Sequence, residues 1–318
     1  MAVHNSKHYQ FKTNGNYEGY QTTVVIQGKT EKVTISTRRN FQVLYEVNSD
    51  NSSTPASSTV TFYNLSKETL SKFEKNDHLK LYTGPEPLFG LLSEGYITNI
   101  VPDVKDGQDH TTTITFTEAI LAKKNVKVYS KFNGSKTVTK TVKVNGKSIN
   151  YKKRQVKKVN LAFRKNTKAS TIIKRVARDA GYQISLLDLK KDHVFKKGYT
   201  VTSKAMEVFA SLAKACDTKF YQRRGQIVFE SGTKPNPYHE NLYFSDKTGL
   251  TSIPSHDDAD SDGGDSWTFT AFENPQLMAG SVVHVKSPEA RLNKLMQVTH
   301  VTHTHETGSY TMEVTVDG

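Results

Sequence analysis

Asp77-His78-Leu79-Lys80-Leu81, Gly95-Tyr96-Ile97-Thr98-Asn99-Ile100 and Thr113-Ile114-Thr115-Phe116-Thr117 follow one another in the front half of the chain. The same order returns at its end, as Ser281-Val282-Val283-His284-Val285, Gln297-Val298-Thr299-His300-Val301 and Thr311-Met312-Glu313-Val314-Thr315-Val316. Each run places apolar side chains at period two, the signature of a strand with one buried face. The echo therefore reads as a β module present twice. Such a duplication lets an odd-numbered oligomer present an even-numbered ring of equivalent modules.

Working outward from these runs, Gln21 to Ile26 and Lys32 to Ile35 alternate around Gly28 and predict a hairpin. Phe41 to Val47 and Val60 to Tyr63 predict strands separated by a polar loop, Asn48 to Ser58. Ser66 to Phe73 predicts a short helix, with Ser66 as N-cap and Thr69 in place of the capping-box glutamate. Gly84-Pro85 and Asp106-Gly107 separate the next three strands into a meander. About six strands and one helix are enough to close a small barrel.

The middle of the chain has a different grammar. Val126-Tyr129, Val138-Val144 and Ile149-Lys157 read as hairpin strands, the second turning at Asn145-Gly146. Helical spacing then places Ile172, Ile173, Val176, Ala177 and Ala180 on one face, ending at Gly181. A strand over Tyr182-Leu187 leads to a second helix from about Ser203 to Ala215, with Ala205, Met206, Val208, Phe209, Leu212 and Ala213 inward. Phe220-Gln222 and Gln226-Glu230 form a hairpin around Arg224-Gly225. The fold class is mainly β with α+β character: two related β-barrels with a small α/β module between them. The divisions fall at 1–20 (a mobile arm), 21–125 (first barrel), 126–235 (basic β-ribbon and α/β module) and 236–318 (second barrel).

The 318 residues are enough for about two domains of ordinary size. The single cysteine, Cys216, rules out an internal disulfide and suits folding in a reducing cytosol. No apolar run approaches the roughly 20 residues that span a bilayer, and residues 1–20 hold no apolar stretch of signal-peptide type. The net charge of +13 is uneven: Ala122 to Arg178 holds 19 Lys/Arg and no Asp or Glu, against 25 basic and 31 acidic residues elsewhere. Lys123, Lys124, Lys127, Lys152, Lys153, Arg154, Lys157 and Lys158 within it form the candidate interface. An acidic protein surface or plain solvation suits this block better than nucleic acid. Its aromatics, Tyr129, Phe132, Tyr151 and Phe163, are too sparse for a base-stacking platform.

Motifs that suggest chemistry fall short. Asp258-Ala259-Asp260-Ser261-Asp262-Gly263 opens like a calcium loop, but Phe269 stands where the bidentate glutamate belongs, so a solvated acidic loop is the reading. His303 and His305 share a strand face while His300 points the other way, which leaves two convergent imidazoles and favours a structural role over a metal site. Gly146-Lys147-Ser148 resembles the end of a phosphate loop, but Thr141 replaces the glycine that loop requires. Gly198-Tyr199-Thr200-Val201 resembles a fragment of a peptidoglycan-binding LysM module, with packing the better account of the same residues. Neither a nucleophile elbow nor a zincin motif occurs. The chain reads as a non-enzyme without cofactors or metals, and a cell-wall hydrolase is the weakest reading.

Two stretches resemble the baseplate-hub family of contractile phage tails and prophage tail particles. One is Tyr63-Asn64-Leu65-Ser66, Lys75 to Tyr82, Leu88-Phe89-Gly90 and Gly95-Tyr96-Ile97. The other is Asn274-Pro275-Gln276-Leu277, Ala279 to Val283 and Gln297 to His303. The helices ending Asp179-Ala180-Gly181-Tyr182 and spanning Lys204 to Ala215 are similar to that family's middle module. Ala279-Gly280-Ser281 departs from the family's usual Pro-Gly-Asp. The resemblance implies tail-tube-like barrels in a structural virion component of the tail baseplate, assembled in the host cytoplasm. It implies a homotrimer adapting a sixfold tail tube protein to a threefold central spike protein beside other baseplate proteins. DNA would meet it only in transit, and no membrane is involved. The alternative is a binding module for an anionic polymer, nucleic acid or teichoic acid, through the Lys-rich segment.

Overall fold

The computed structural model describes residues 3–5, 10–28, 31–52, 54–118, 133–144, 147–158, 161–201, 203–231, 240–257 and 266–318. The first stretch holds β1 (Val3–Asn5), β2 (Gln10–Thr13), β3 (Gln21–Gln27), β4 (Lys32–Ser36), β5 (Val43–Asp50), β6 (Ser57–Tyr63), α1 (Lys67–Leu70), β7 (His78–Gly84), β8 (Gly90–Asp106) and β9 (Asp109–Thr117). The middle holds β10 (Asn133–Val144), β11 (Lys147–Lys158), β12 (Leu161–Phe163), β13 (Thr167–Lys168), α2 (Ala169–Ala180), β14 (Ile184–Leu187), β15 (Val194–Phe195), β16 (Tyr199–Val201), α3 (Ala205–Ala215), β17 (Lys219–Arg223) and β18 (Gln226–Glu230). The last stretch holds β19 (Leu242–Ser245), β20 (Ser255–Asp257), β21 (Ser266–Phe272), β22 (Val282–Ser287), β23 (Leu292–Glu306) and β24 (Ser309–Asp317). The fold is mainly β, as the alternating patterns require.

The chain divides into two compact units. The first comprises Met1–Leu121, Tyr221–Gly225 and Lys234–Gly318, and the second Ala122–Phe220 and Gln226–Thr233. In the first unit the front strands pair in the order β3-β7-β8-β9-β6-β5 and the back strands in the order β19-β22-β23-β24-β21-β20. With β4 set aside, both read first, fourth, fifth, sixth, third, second. Four of the five pairings are antiparallel in both modules. The remaining one differs, since β3 runs antiparallel to β7 whereas β19 runs parallel to β22. Each module has its own core: Val24, Ile26, Val60, Phe62, Leu79, Leu81, Ile114 and Phe116 in front, Phe244, Phe269, Val283, Val285, Val298, Met312 and Val314 behind. Among the described residues the pairings do not return to close either module on itself. Instead β5 pairs onward with β23, so that one sheet carries both.

The duplication extends to single hydrogen bonds. In β8 the register against β9 slips between Ile97 and Asn99; in β23 the register against β24 slips between Val298 and His300. Each slip is a β-bulge that bends the strand so that its two halves meet different neighbours. Just before the fourth strand, Asn76 N–H donates to the Ile97 carbonyl at 2.8 Å and Ile97 N–H to the Asp77 carbonyl at 3.0 Å. Behind, Gly280 N–H donates to the Val298 carbonyl at 2.7 Å and Val298 N–H to the Ser281 carbonyl at 2.9 Å.

Three differences from the sequence reading have physical causes. The polar loop over Asn48 to Ser58 is shorter, because β5 runs on to Asp50 while pairing with β23, a partner some 250 residues away that no local signal announces. The mobile arm over 1–20 is docked in part: Lys12 and Thr13 pair with Leu242 and Tyr243, Phe11 is buried, and the buried Asn14 amide donates to the Phe272 carbonyl. The helix over Ser66 to Phe73 shrinks to one turn, with Ser66 Oγ accepting from Thr69 N–H at 3.1 Å.

In the second unit β10 and β11 pair antiparallel over twelve positions, from Asn133 opposite Lys158 to Val144 opposite Lys147. The turn at Asn145-Gly146 and the Val126-Tyr129 strand lie outside the described residues. Helix α2 buries Ile172, Ile173, Val176, Ala177 and Ala180 and ends at Gly181, whose φ of 72° is the left-handed conformation glycine adopts without strain. Helix α3 buries Ala205, Val208, Phe209, Leu212 and Ala213. Phe209, Phe220 and Phe229 pack ring against ring over the sheet β14-β18-β17. The turn between β17 and β18 places Arg224 and Gly225 at φ 47° and 68°, as a two-residue hairpin requires.

Candidate functional site

The feature of the first unit best suited to a function is the seam where one module joins the other. It runs from Tyr45 opposite His305 to Asp50 opposite His300, antiparallel. Alternation sends Tyr45, Val47 and Ser49 from β5, with Val301, His303 and His305 from β23, to the buried side.

Several polar groups along the seam, on either face, find partners across long sequence distances. His303 is fully buried: Nδ1 lies 3.0 and 3.1 Å from the two Glu273 carboxylate oxygens, and Nε2–H donates to the Leu277 carbonyl at 2.9 Å. Both ring nitrogens are thereby engaged. Ser49 Oγ accepts from Ala279 N–H at 3.2 Å, and Thr302 Oγ1 donates to Asn48 Oδ1 at 2.9 Å. His305 stacks on Tyr310 with ring centroids 3.7 Å apart, and Tyr310 stacks on Tyr20 at 4.7 Å. Burial drives the His305 imidazole down to about 4, against a smaller upward pull from a hydrogen bond to the Val43 backbone. The Tyr20 phenol is pushed well above its ordinary value, first by burial and then by the Glu273 charge. The Tyr45 phenol is raised mainly by burial, and its hydroxyl is 2.9 Å from Thr83 Oγ1.

A second buried polar group anchors the end of the seam. Arg223 Nη1 donates to Glu118 Oε2 at 3.2 Å and its Nη2 to the Asp50 carbonyl at 3.4 Å, while Ser93 Oγ donates to Glu118 Oε1 at 2.8 Å. With side chains only 3% and 9% exposed, Arg223 and Glu118 form an ion pair that must stay intact, since either charge alone would be stranded.

The histidines thus divide as the strand alternation predicts: His303 and His305 share the buried face, and His300 is half-buried with Nε2 3.0 Å from Thr302 Oγ1. Among the described residues no group of three or more His, Cys, Asp or Glu is arranged to hold a metal ion. The acidic run from Asp258 to Gly263 lies outside the described residues, as do Lys123, Lys124 and Lys127. Lys152, Lys153, Arg154, Lys157 and Lys158 lie on β11, opposite Thr139, Val138, Thr137, Gly134 and Asn133. Sequence reasoning missed Glu273, Arg223 and Glu118. Each is an ordinary charged residue in its local context, and only the distant partner makes it a buried pair.

No protein-family model and no curated protein matches the sequence. Solved structures do. The 43 kDa tail protein of prophage MuSo2 from Shewanella oneidensis superposes with a TM-score of 0.60 at 9% identity, covering 93% of this chain and 97% of that one. A tail protein from Neisseria meningitidis gives 0.57 at 9% identity, covering 95% and 97%. This chain has the fold of prophage tail proteins. The E. coli c3393 protein, a type VI secretion component structurally similar to the T4 phage tail proteins gp27 and gp5, gives 0.51 at 12% identity, covering 92% and 76%. The likeness to the prophage tail proteins spans both units and lies in the fold, since so few identities would not reveal it by sequence.

Proposed function

We propose that this chain is a structural hub protein of a phage tail or tail-like particle. Three copies surround the tail axis and present six near-equivalent β modules. One face of the ring matches a sixfold tail tube and the other a threefold central spike. The observation that carries this reading is the strand order shared by the two modules, down to the bulges at Ile97/Asn99 and Val298/His300. A module repeated once per chain turns threefold symmetry into approximate sixfold symmetry, which a single module cannot do. The fold shared with prophage tail proteins supports the same reading. The role is one of assembly rather than catalysis: the buried acid–base groups of the seam are consumed in holding it together. Electron microscopy of the purified full chain tests the proposal. The expected image is a closed ring with six lobes; a field of isolated particles without rings would refute it.

The alternative reading, an anionic-polymer binder, draws on β11. There Lys152, Lys153, Arg154, Lys157 and Lys158 crowd one strand of a long hairpin, enough positive charge to attract a polyanion. Its mark would be binding of a DNA duplex that collapses steeply with salt. Binding insensitive to salt would discard it.

A further inference from the structure

The seam within one chain is a template for a contact the chain leaves unmade. β5 is the second strand of the front module, and it pairs with the far half of β23, the fifth strand of the back module. The counterparts of these two edges are β20 and the far half of β8. β8 pairs with β7 only through Tyr96, and beyond its bulge it has β9 on one side and no strand on the other among the described residues. Among the described residues β20 pairs with β21 alone.

The side chains along these two edges fit that vacancy. Val101 and Val104 on β8 are 42% and 48% exposed, and Ile253 beside β20 is 59% exposed. An exposed edge carrying β-branched apolar residues is what folded proteins otherwise avoid, because it recruits another strand. Val101 and Val104 occupy the places that Thr302 and Thr304 hold on β23, opposite Thr113 and Thr111 where those lie opposite Glu313 and Thr311. Thr302 and Thr304, covered by β5, are half-buried. Pro102, which has no N–H to offer a neighbour, falls within the second slip of β8, between Val101 and Val104.

We propose that the far half of β8 is the docking edge for β20 of a second copy of this chain, paired antiparallel as β23 is with β5. The inference rests on the ring reading above and supplies the surface that would close it. The template also fixes the register. Glu46 lies opposite Thr59 and Thr304, Ser255 lies opposite Thr268, and Thr59 and Thr268 sit at matching places against Thr115 and Thr315. Ser255 of one copy therefore comes opposite Val104 of the next, and Asp257 opposite Val101. Such a head-to-tail contact, repeated, generates a ring.

Paired antiparallel residues lie roughly 4.5–5.5 Å apart at Cα, within disulfide reach. The full chain carrying Val104→Cys and Ser255→Cys together is oxidised and run without reductant. Covalent dimers and trimers are expected. Either variant alone should give none, and a mixture of the two single variants should stop at dimers. A separate Val101→Asp/Val104→Asp chain should lose self-association while keeping the native far-ultraviolet circular dichroism spectrum, since both positions are exposed. A three-chain mass by light scattering that persists in the aspartate variant, with no 104–255 cross-link, overturns this edge and leaves the ring reading standing. A single-chain mass for the unmodified protein at every concentration overturns both.

Discussion

Asn76 and Gly280 occupy the same place in the two modules. Both have positive φ, 73° and 98°, and both donate their N–H to the bulged strand, to the carbonyls of Ile97 and Val298. The residue after each closes the turn alike: Asp77 Oδ2 accepts from Glu74 N–H at 2.7 Å and Ser281 Oγ from Met278 N–H at 3.2 Å. Asparagine and glycine are the residues that tolerate left-handed backbone, so two dissimilar sequences meet one requirement.

Both sites should therefore favour residues that tolerate a left-handed backbone. Gly280→Ala forces a Cβ into a left-handed conformation and is expected to cost about 1–2 kcal/mol. Asn76→Gly should be close to neutral. Urea denaturation of the two variants checks this; equal and negligible effects would remove the conformational argument.

Glu273→Ala strips the buried His303 of its carboxylate. Leaving a buried hydrogen-bonding group without its partner costs roughly 1–3 kcal/mol, and the seam should be the first part of the unit to open. Hydrogen exchange at β5 and β23 amides reads this directly, with protection lost there while α2 keeps its own.

His305 makes stability depend on pH. Its folded value of about 4 lies below the ordinary 6.5, so the unfolded chain binds the extra proton first. The contribution is fully present above pH 6.5 and is lost as pH falls from 6.5 towards 4. Its size is about 2 kcal/mol once partial solvent screening is allowed for. His305→Gln should flatten the melting-temperature profile across that window; an unchanged slope would place the titration elsewhere.

Reversing Lys152, Lys153 and Arg154 to glutamate should leave self-association intact, because β11 belongs to the second unit and the proposed docking edges to the first. Light scattering of the triple variant provides the comparison. Dissociation on charge reversal would move the assembly surface onto the ribbon.

Much of the fold was legible because its signals are local. Period-two runs located the meander β7-β8-β9, and helical spacing ending in glycine located α2 from Ala169 to Ala180. What escaped was long-range. Asn48 to Asp50 carry loop-forming residues yet extend a strand, because β23 supplies the hydrogen bonds. Ser170, at the start of α2, has its N–H and hydroxyl held by Asp192, a residue with no helix-capping position in the sequence. The ion pair of Arg223 with Glu118 spans 105 residues. The echo of Gly95–Ile100 in Gln297–Val301 was visible because a bulge and its flanking strand are local too.

The proposed assembly holds three copies that present six like modules. Light scattering on the purified full chain, whose single-chain mass is 35.7 kDa, measures that number directly. A mass three times that of one chain is the predicted result; a stable dimer, or a single chain at every concentration, would contradict it.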